Sequence, residues 1–312
     1  MLFRSLDAMG NRIREETQDP QGRLAQLRRH EYDALGRLAK SIGAQDQITQ
    51  YEYDANGNHT RTTDPLAHIT VNAYDALNRL IAITAPDKGY TLLAYDGQDR
   101  RIRVTDPRNL VTAYTLDGLG NHLQTRSPDT GVTVSTYDAA GNEITHTDAK
   151  GQITRTAYDA LNRPIHITYA DGRQTRYTWD AGTYGVGRLS RIDEVENGSI
   201  TGSHQYAYDA QGRLRQETRT FGALSHTTAY HYAGGQFSGM TLPSGRQVRY
   251  TRDAAGQITQ VALTDIAPNA GQTRILASAI AYHPFGTIKR WTDGAGQTHT
   301  RSQDLDGRID AC

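Results

Sequence analysis

Eight aspartates recur at a fixed spacing of 21 residues: Asp33, Asp54, Asp75, Asp96, Asp117, Asp138, Asp159 and Asp180. Carboxylates repeated in this way could ligate a hard cation such as Ca²⁺, which takes six to eight oxygen donors. The calcium-binding β-helices meet that need with acids set closely inside a nine-residue repeat. Here each core turn holds one aspartate, often with an arginine four positions later. The same carboxylate can accept hydrogen bonds from backbone N–H groups two or three residues on, so the expected role is to cap a turn. The 11 histidines are scattered: His30, His59, His68, His122, His146, His166, His204, His226, His231, His283 and His299. His226 and His231 stand five apart and so fall on opposite strand faces. No cysteine or carboxylate spacing completes a zinc site. Solvated strand histidines, no metal and no cofactor are expected.

A hydrolase needs one nucleophile with its own base and orienting group. Ser41, Ser127 and Ser135 lie in no Gly-x-Ser-x-Gly context, and the Tyr and Asp candidates recur in every unit, whereas a catalytic set is built once. No enzyme is expected. The 18 tyrosines with Trp179 and Trp291 offer a second chemistry, a ladder of rings on which sugars could stack. The structural alternative is that rings on neighbouring strands stack on each other, adding roughly 0.2–1 kcal/mol per pair.

The elements that must position these groups are written around each aspartate. Tyr32, Tyr53, Tyr74, Tyr95, Leu116, Tyr137, Tyr158 and Trp179 precede it directly. Three residues after it stand Gly36, Gly57, Asn78, Asp99, Gly120, Gly141 and Asn162, the residue types that tolerate a left-handed backbone, so φ > 0 is predicted there. Arg37, Asn58, Arg79, Arg100, Asn121, Asn142 and Arg163 follow. Alternation before the turn, as in Thr133, Ser135 and Tyr137 against Val132, Val134 and Thr136, reads as a strand. Leu80–Thr84 and 165–168 read as strands after it. A second turn comes midway, at Asp64-Pro65, Pro86–Gly89, Asp106-Pro107, Pro128–Gly131, Asp148–Gly151 and Asp171-Gly172. Two short strands and two turns per unit make an all-β, repetitive antiparallel meander with no helix. Residues 1–32 hold an irregular copy, 33–180 the regular array, and 181–312 degenerate copies with insertions, among them Tyr208-Asp209 with Gly212-Arg213. Together they form one continuous repeat domain. The insertions 182–187 and 265–271 are placed at turns.

Lys plus Arg is 34 and Asp plus Glu is 34, so no electrostatic reason exists to expect nucleic acid or an anionic membrane. No apolar run reaches the ~18 residues of a membrane span or resembles a signal peptide. Cys312 is the one cysteine, which excludes an internal disulfide.

The phased Tyr-Asp units resemble the RHS/YD-repeat family, across essentially the whole chain. That family takes in bacterial Rhs proteins, wall-associated proteins, the C components of insecticidal toxin complexes and the YD shells of teneurins. The resemblance implies a long sheet that spirals into a hollow shell, of which this chain would form an open arc. It also implies, for bacterial members, an enclosed toxic C-terminal domain. Rhs cores end in an Asp-Pro-x-Gly stretch where self-cleavage occurs. The one such string here, Asp19-Pro20-Gln21-Gly22, lies at the opposite end and in phase with a second turn. An internal piece of a longer array, without effector or cleavage region, is therefore expected. Its partners would be the rest of the shell or an enclosed toxin, with cell-surface glycans as the alternative. Exposed first and last strands would invite edge-to-edge self-association. Localisation is open, and would depend on a dedicated delivery system if the chain belongs to a longer Rhs protein. The residues expected to build the wall are Tyr32, Asp33, Gly36, Arg37, Tyr53, Asp54, Gly57, Tyr74, Asp75, Arg79, Tyr95, Asp96, Tyr137, Asp138, Gly141, Tyr158, Asp159, Arg163, Tyr208, Asp209, Gly212 and Arg213.

Overall fold

A computed structural model describes residues 1–266, 271–284 and 286–311. Phe285, Cys312 and most of the 265–271 insertion lie outside the described residues. Among the described residues the chain forms 29 strands and no helix. Two compact units divide it: Met1–Ala113 with Ala279–Cys312, and Tyr114–Ser278.

In the first unit the strands from Leu2–Leu6 to Arg101–Thr105 each pair antiparallel with the next in sequence. In the second unit the strands from His122–Ser127 to Ile258–Thr264 do the same. This is the meander that alternating Thr, Val, Ile and Tyr dictate, since β-branched and aromatic side chains suit a pleated surface. In Ile153–Tyr158 the Thr154, Thr156 and Tyr158 face is the less exposed one, while Arg155 and Ala157 lie open to solvent. The insertion 182–187 lies in the turn between Gln174–Trp179 and Leu189–Glu196, closed by Asp180 N–H donating to the Arg188 carbonyl at 2.9 Å.

One irregularity recurs with the period. Tyr158 pairs with Pro164 but Ala157 with His166, so Ile165 is an extra residue on the outgoing strand. The same skip occurs at Ala39, Thr60, Ile81, Ile102 and Ile144. A bulge bends its strand, increases local twist and breaks the backbone ladder at that point.

The core is thin. Buried apolar residues are Ile42, Ala82, Val195, Ala262, Leu263 and Ile280, and no large side chain among the described residues is fully buried. The accessible surface is 19414 Å², whereas a compact globule of 34.5 kDa would expose about 13,000 Å². Stability must therefore come from turn and strand hydrogen bonds repeated in every unit more than from a shared apolar interior. Within the first unit the C-terminal segment returns to the N-terminal strands, with Leu27 N–H donating to the Leu305 carbonyl at 3.0 Å.

Candidate functional site

The recurring aspartates each close a turn upon themselves. Asp33 N–H donates to the Arg37 carbonyl at 2.9 Å, and Gly36 N–H donates to the Asp33 carbonyl at 3.0 Å. Asp33 Oδ1 accepts the N–H groups of Leu35 and Arg37, both at 2.9 Å, and Oδ2 accepts Arg37 Nε at 2.7 Å. The donors thus stand two and four residues on, where spacing suggested two or three. Asp54 and Asp138 repeat the pattern with Asn58 and Asn142 as the Oδ2 donors, each at 2.9 Å. Asp75, Asp96, Asp159 and Asp209 repeat it with Arg79, Arg100, Arg163 and Arg213. From Asp33 to Asp159 the third residue after the aspartate is left-handed throughout, with φ of 76° at Gly36, 89° at Gly57, 61° at Asn78 and 84° at Gly141, and Gly212 after Asp209 is so at 78°. This is a type I turn followed by a left-handed residue, the common three-residue hairpin loop. Second turns use the same device: Asp64 Oδ1 accepts Leu66 and His68 N–H, both at 2.8 Å.

The tyrosine before each aspartate reaches back one unit. Tyr53 Oη donates to the Leu38 carbonyl at 3.0 Å, Tyr74 to His59 at 3.0 Å, Tyr95 to Leu80 at 2.8 Å, Tyr137 to His122 at 3.1 Å and Tyr158 to Glu143 at 3.1 Å. Tyr32 reaches Arg12 at 3.1 Å, Tyr208 reaches Leu189 at 2.7 Å, and Trp179 Nε1 takes the role toward Pro164 at 2.8 Å. In each regular unit the accepting carbonyl belongs to the residue that opens the outgoing strand, beside the bulge. The bulge disturbs the ladder there, and the next unit's hydroxyl supplies a donor. Leu116 carries no polar atom and interrupts the series.

At six of the core turns the residue four after the aspartate reaches forward. The Arg37 guanidinium lies 4.7 Å from the centre of the Tyr53 ring, Arg79 lies 5.1 Å from Tyr95, Arg163 lies 4.9 Å from Trp179 and Arg213 lies 4.2 Å from Tyr232. Arg163 also pairs with both carboxylate oxygens of Asp180, at 3.1 and 2.7 Å. Where asparagine stands instead, Asn58 donates to Asn78 Oδ1 at 2.8 Å and Asn142 to Asn162 Oδ1 at 2.9 Å. Stacking of tyrosine on tyrosine is not how the ladder is built. Among the described residues no ring contact joins successive core tyrosines from Tyr32 to Tyr158. The guanidinium of the preceding turn occupies a ring face instead, through the attraction of a cation to the negative face of the ring.

An RHS Repeat family model matches residues 32–69, 74–109, 137–174 and 158–194, and a Teneurin YD-shell model matches 180–274. This chain is an RHS/YD-repeat protein. No curated protein matches it. Among solved structures, the chain aligns over 98% of its length with 18% of TcdB2-TccC3 without its hypervariable C-terminal region, at 18% identity and a TM-score of 0.82. Against TcdB2-TccC3-Cdc42 it aligns over 98% of its length and 18% of that chain, at 18% identity and a TM-score of 0.80. The chain thus spans about a fifth of the length of these relatives, and the likeness is one of fold.

The tryptophans, histidines and serines of this RHS/YD surface have specific neighbours. Trp291 has His299 stacked on it at 4.7 Å and Arg301 at 5.0 Å from its ring, and Trp179 has Arg163 against its face. Each tryptophan thus has at least one ring face taken by a neighbouring side chain. His68, His122, His226 and His231 are exposed as expected, while other histidines are engaged by the wall. His59 Nε2 meets the Arg61 carbonyl and Thr62 Oγ1, both at 3.0 Å, and His283 Nε2 meets the Arg301 carbonyl at 2.9 Å. Buried Ser135 does meet the half-exposed Glu143 and His146: Ser135 Oγ bonds Glu143 Oε1 and lies 3.2 Å from His146 Nδ1, which is itself 3.0 Å from Glu143 Oε1. A hydrolytic triad sets nucleophile and acid on opposite ring nitrogens. Here both face Nδ1, so the acid does not orient the imidazole through one nitrogen while the other serves the hydroxyl.

The capped carboxylates make stability depend on pH. The Arg37 amide holds Asp33 below the usual carboxylate range, and the Arg79 amide does so for Asp75. The Asn58 and Asn142 side-chain amides do the same for Asp54 and Asp138, and the Arg163 guanidinium for Asp159. A folded carboxyl that protonates later than its unfolded counterpart stabilises the fold above the ordinary pKa of about 4 and loses that effect as pH falls further. The expected melting temperature is level through the mildly acidic range and drops steeply below about pH 4. Melting followed by circular dichroism across a pH series checks this. A level curve extending well below pH 3 would contradict the capping role.

Proposed function

We propose that the chain is a non-catalytic section of shell wall, built to enclose or present another polypeptide. The observation that carries this reading is that the recurring polar groups are used inside the wall itself. From Asp33 to Asp159 both oxygens of the core-turn carboxylates take turn donors, most of the preceding tyrosines hold the earlier unit by their hydroxyls, and arginines or asparagines such as Arg37 and Asn58 reach the following one. A repeated catalytic or ion-binding surface would instead leave such groups converging on a shared space. Family membership and a fold shared over nearly the whole chain with TcdB2-TccC3 support the same reading. The enclosed polypeptide would be a toxin domain if the relationship extends to the whole protein, and the effector would lie outside this section. The first strand, Leu2–Leu6, with Leu2, Phe3 and Leu6 exposed, is the edge at which neighbouring repeats would join.

The test uses the full reading frame in which the segment sits. Limited proteolysis should leave one polypeptide segment undigested inside the assembled protein. The combined Asp33→Ala, Asp54→Ala and Asp75→Ala variant should open the wall and make that segment digestible. A full-length protein with no protected segment would overturn the proposal.

A further inference from the structure

Departures from the repeat pattern at Gly43 and at Leu305-Asp306, far apart in sequence, meet at one place in the first unit. Second turns open with Asp19, Asp64, Asp106 or Asp148 where they carry their own cap, but the turn 43–47 opens with Gly43. Core turns carry Leu, Ala, Asn, Gln or Met at their third position, as at Met9, Leu35, Asn56, Leu77, Gln98, Ala140 and Gln211, but the turn 304–308 carries Asp306. Its second position, small in the core turns at Ala34, Ala55, Ala76, Gly97 and Ala139, is Leu305. Asp306 Oδ1 accepts Ala44 N–H at 2.8 Å, and Oδ2 accepts Gln47 Nε2 at 2.9 Å. Beside it the Leu305 carbonyl accepts Leu27 N–H at 3.0 Å.

We infer that the turn 43–47 is a docking seat whose partner is a second YD core turn bearing an acid at its third position. The turn has no capping carboxylate at its opening position, since its own Asp46 pairs with Arg29, and it receives one across 262 positions of sequence. Glycine at 43 also makes the room. A Cβ there would come within 2.8 Å of Asp306 Oδ1 and 2.5 Å of Gln47 Oε1. The seat is selective because both halves must depart from the repeat together. An aspartate at 43 would set two carboxylates against each other, and a leucine at 306 would leave the Ala44 N–H without this acceptor. This pairing rule rests on the contacts themselves, and holds whether or not the wall encloses a second polypeptide.

Hydrogen exchange on the intact chain tests it. In Asp306→Ala the Ala44 and Leu27 amides should exchange roughly tenfold faster, the scale expected for loss of a charged hydrogen bond. Proteolytic cutting within 298–309 should accelerate, while amides of the Tyr114–Ser278 unit keep their protection. In the double variant Gly43→Asp with Asp306→Ala, the turn regains a cap of its own, so the Gln45 and Gln47 amides should be protected while Leu27 stays fast. Wild-type exchange at Ala44 and Leu27 in Asp306→Ala would overturn the inference. So would recovery of Leu27 in the double variant, since the docked partner would then be irrelevant.

Discussion

Replacing Gly239 by alanine is expected to destabilise the Tyr114–Ser278 unit by about 3 kcal/mol, the upper end of the cost of overpacking. Gly239 sits in the strand Gln236–Thr241, opposite His231 on one side and Arg249 on the other. A Cβ there would overlap the Val248 carbonyl oxygen and come within 3.2 Å of Arg249 Cα and Val248 C. All of these are backbone atoms in a paired strand, so no side chain can rotate aside. Relief would require the two strands to part. The loss corresponds to a drop of roughly 6–12 °C in melting temperature for a unit of this size. Gly118→Ala in the same unit is the control. Nothing lies within 4 Å of its Cβ, and neighbouring units carry alanine at that place, as at Ala139 and Ala160. Denaturant titration of both variants decides the matter. If Gly239→Ala unfolds at the control's midpoint, the close approach of the strands is not as described.

The second large effect comes from the backward-reaching hydroxyls. The triple variant Tyr53→Phe, Tyr95→Phe and Tyr158→Phe removes three hydrogen bonds while keeping every ring. Their acceptors are the carbonyls of Leu38, Leu80 and Glu143. Each loss should cost about 1 kcal/mol. The three sites share no partner, so their costs should add to about 3 kcal/mol. Tyr90→Phe provides the comparison, because Tyr90 is 50% exposed and its hydroxyl makes no hydrogen bond among the described residues. Urea midpoints of the singles and the triple give the measurement. A triple variant no weaker than Tyr90→Phe would show that ring packing alone joins the units.

Much of this was readable in the sequence because its causes are local. An aspartate followed three positions later by Gly, Asn or Asp can fold in few ways, since only those residue types enter the left-handed region at small cost. The turns at Asp33, Asp75 and Asp138 follow from that. Alternation in 132–137 and 153–158 likewise fixed strands and their faces. What the tyrosines do was not readable. Spacing places Tyr53 near the preceding unit, but only a bulge at Ala39 determines that a carbonyl there calls for a donor. The bulge has no residue type of its own, falling on Ala, Thr or Ile alike. The ring faces went to arginine for a related reason: Arg37 and Tyr53 are 16 positions apart, and nothing in that interval marks them as partners. Asp306 is the extreme case. As one more acid in a degenerate copy it carries no signal until Gly43 is seen beside it.

The hydroxyl bonds also have a direction: every one runs from a later unit to an earlier one. A chain leaves the ribosome amino end first, at about 5–20 residues per second. Each unit of 21 residues therefore emerges in roughly one to four seconds. On emerging it brings the tyrosine that seals its already extruded predecessor. Such a wall can set course by course during synthesis, and its newest course is always the one left unsealed.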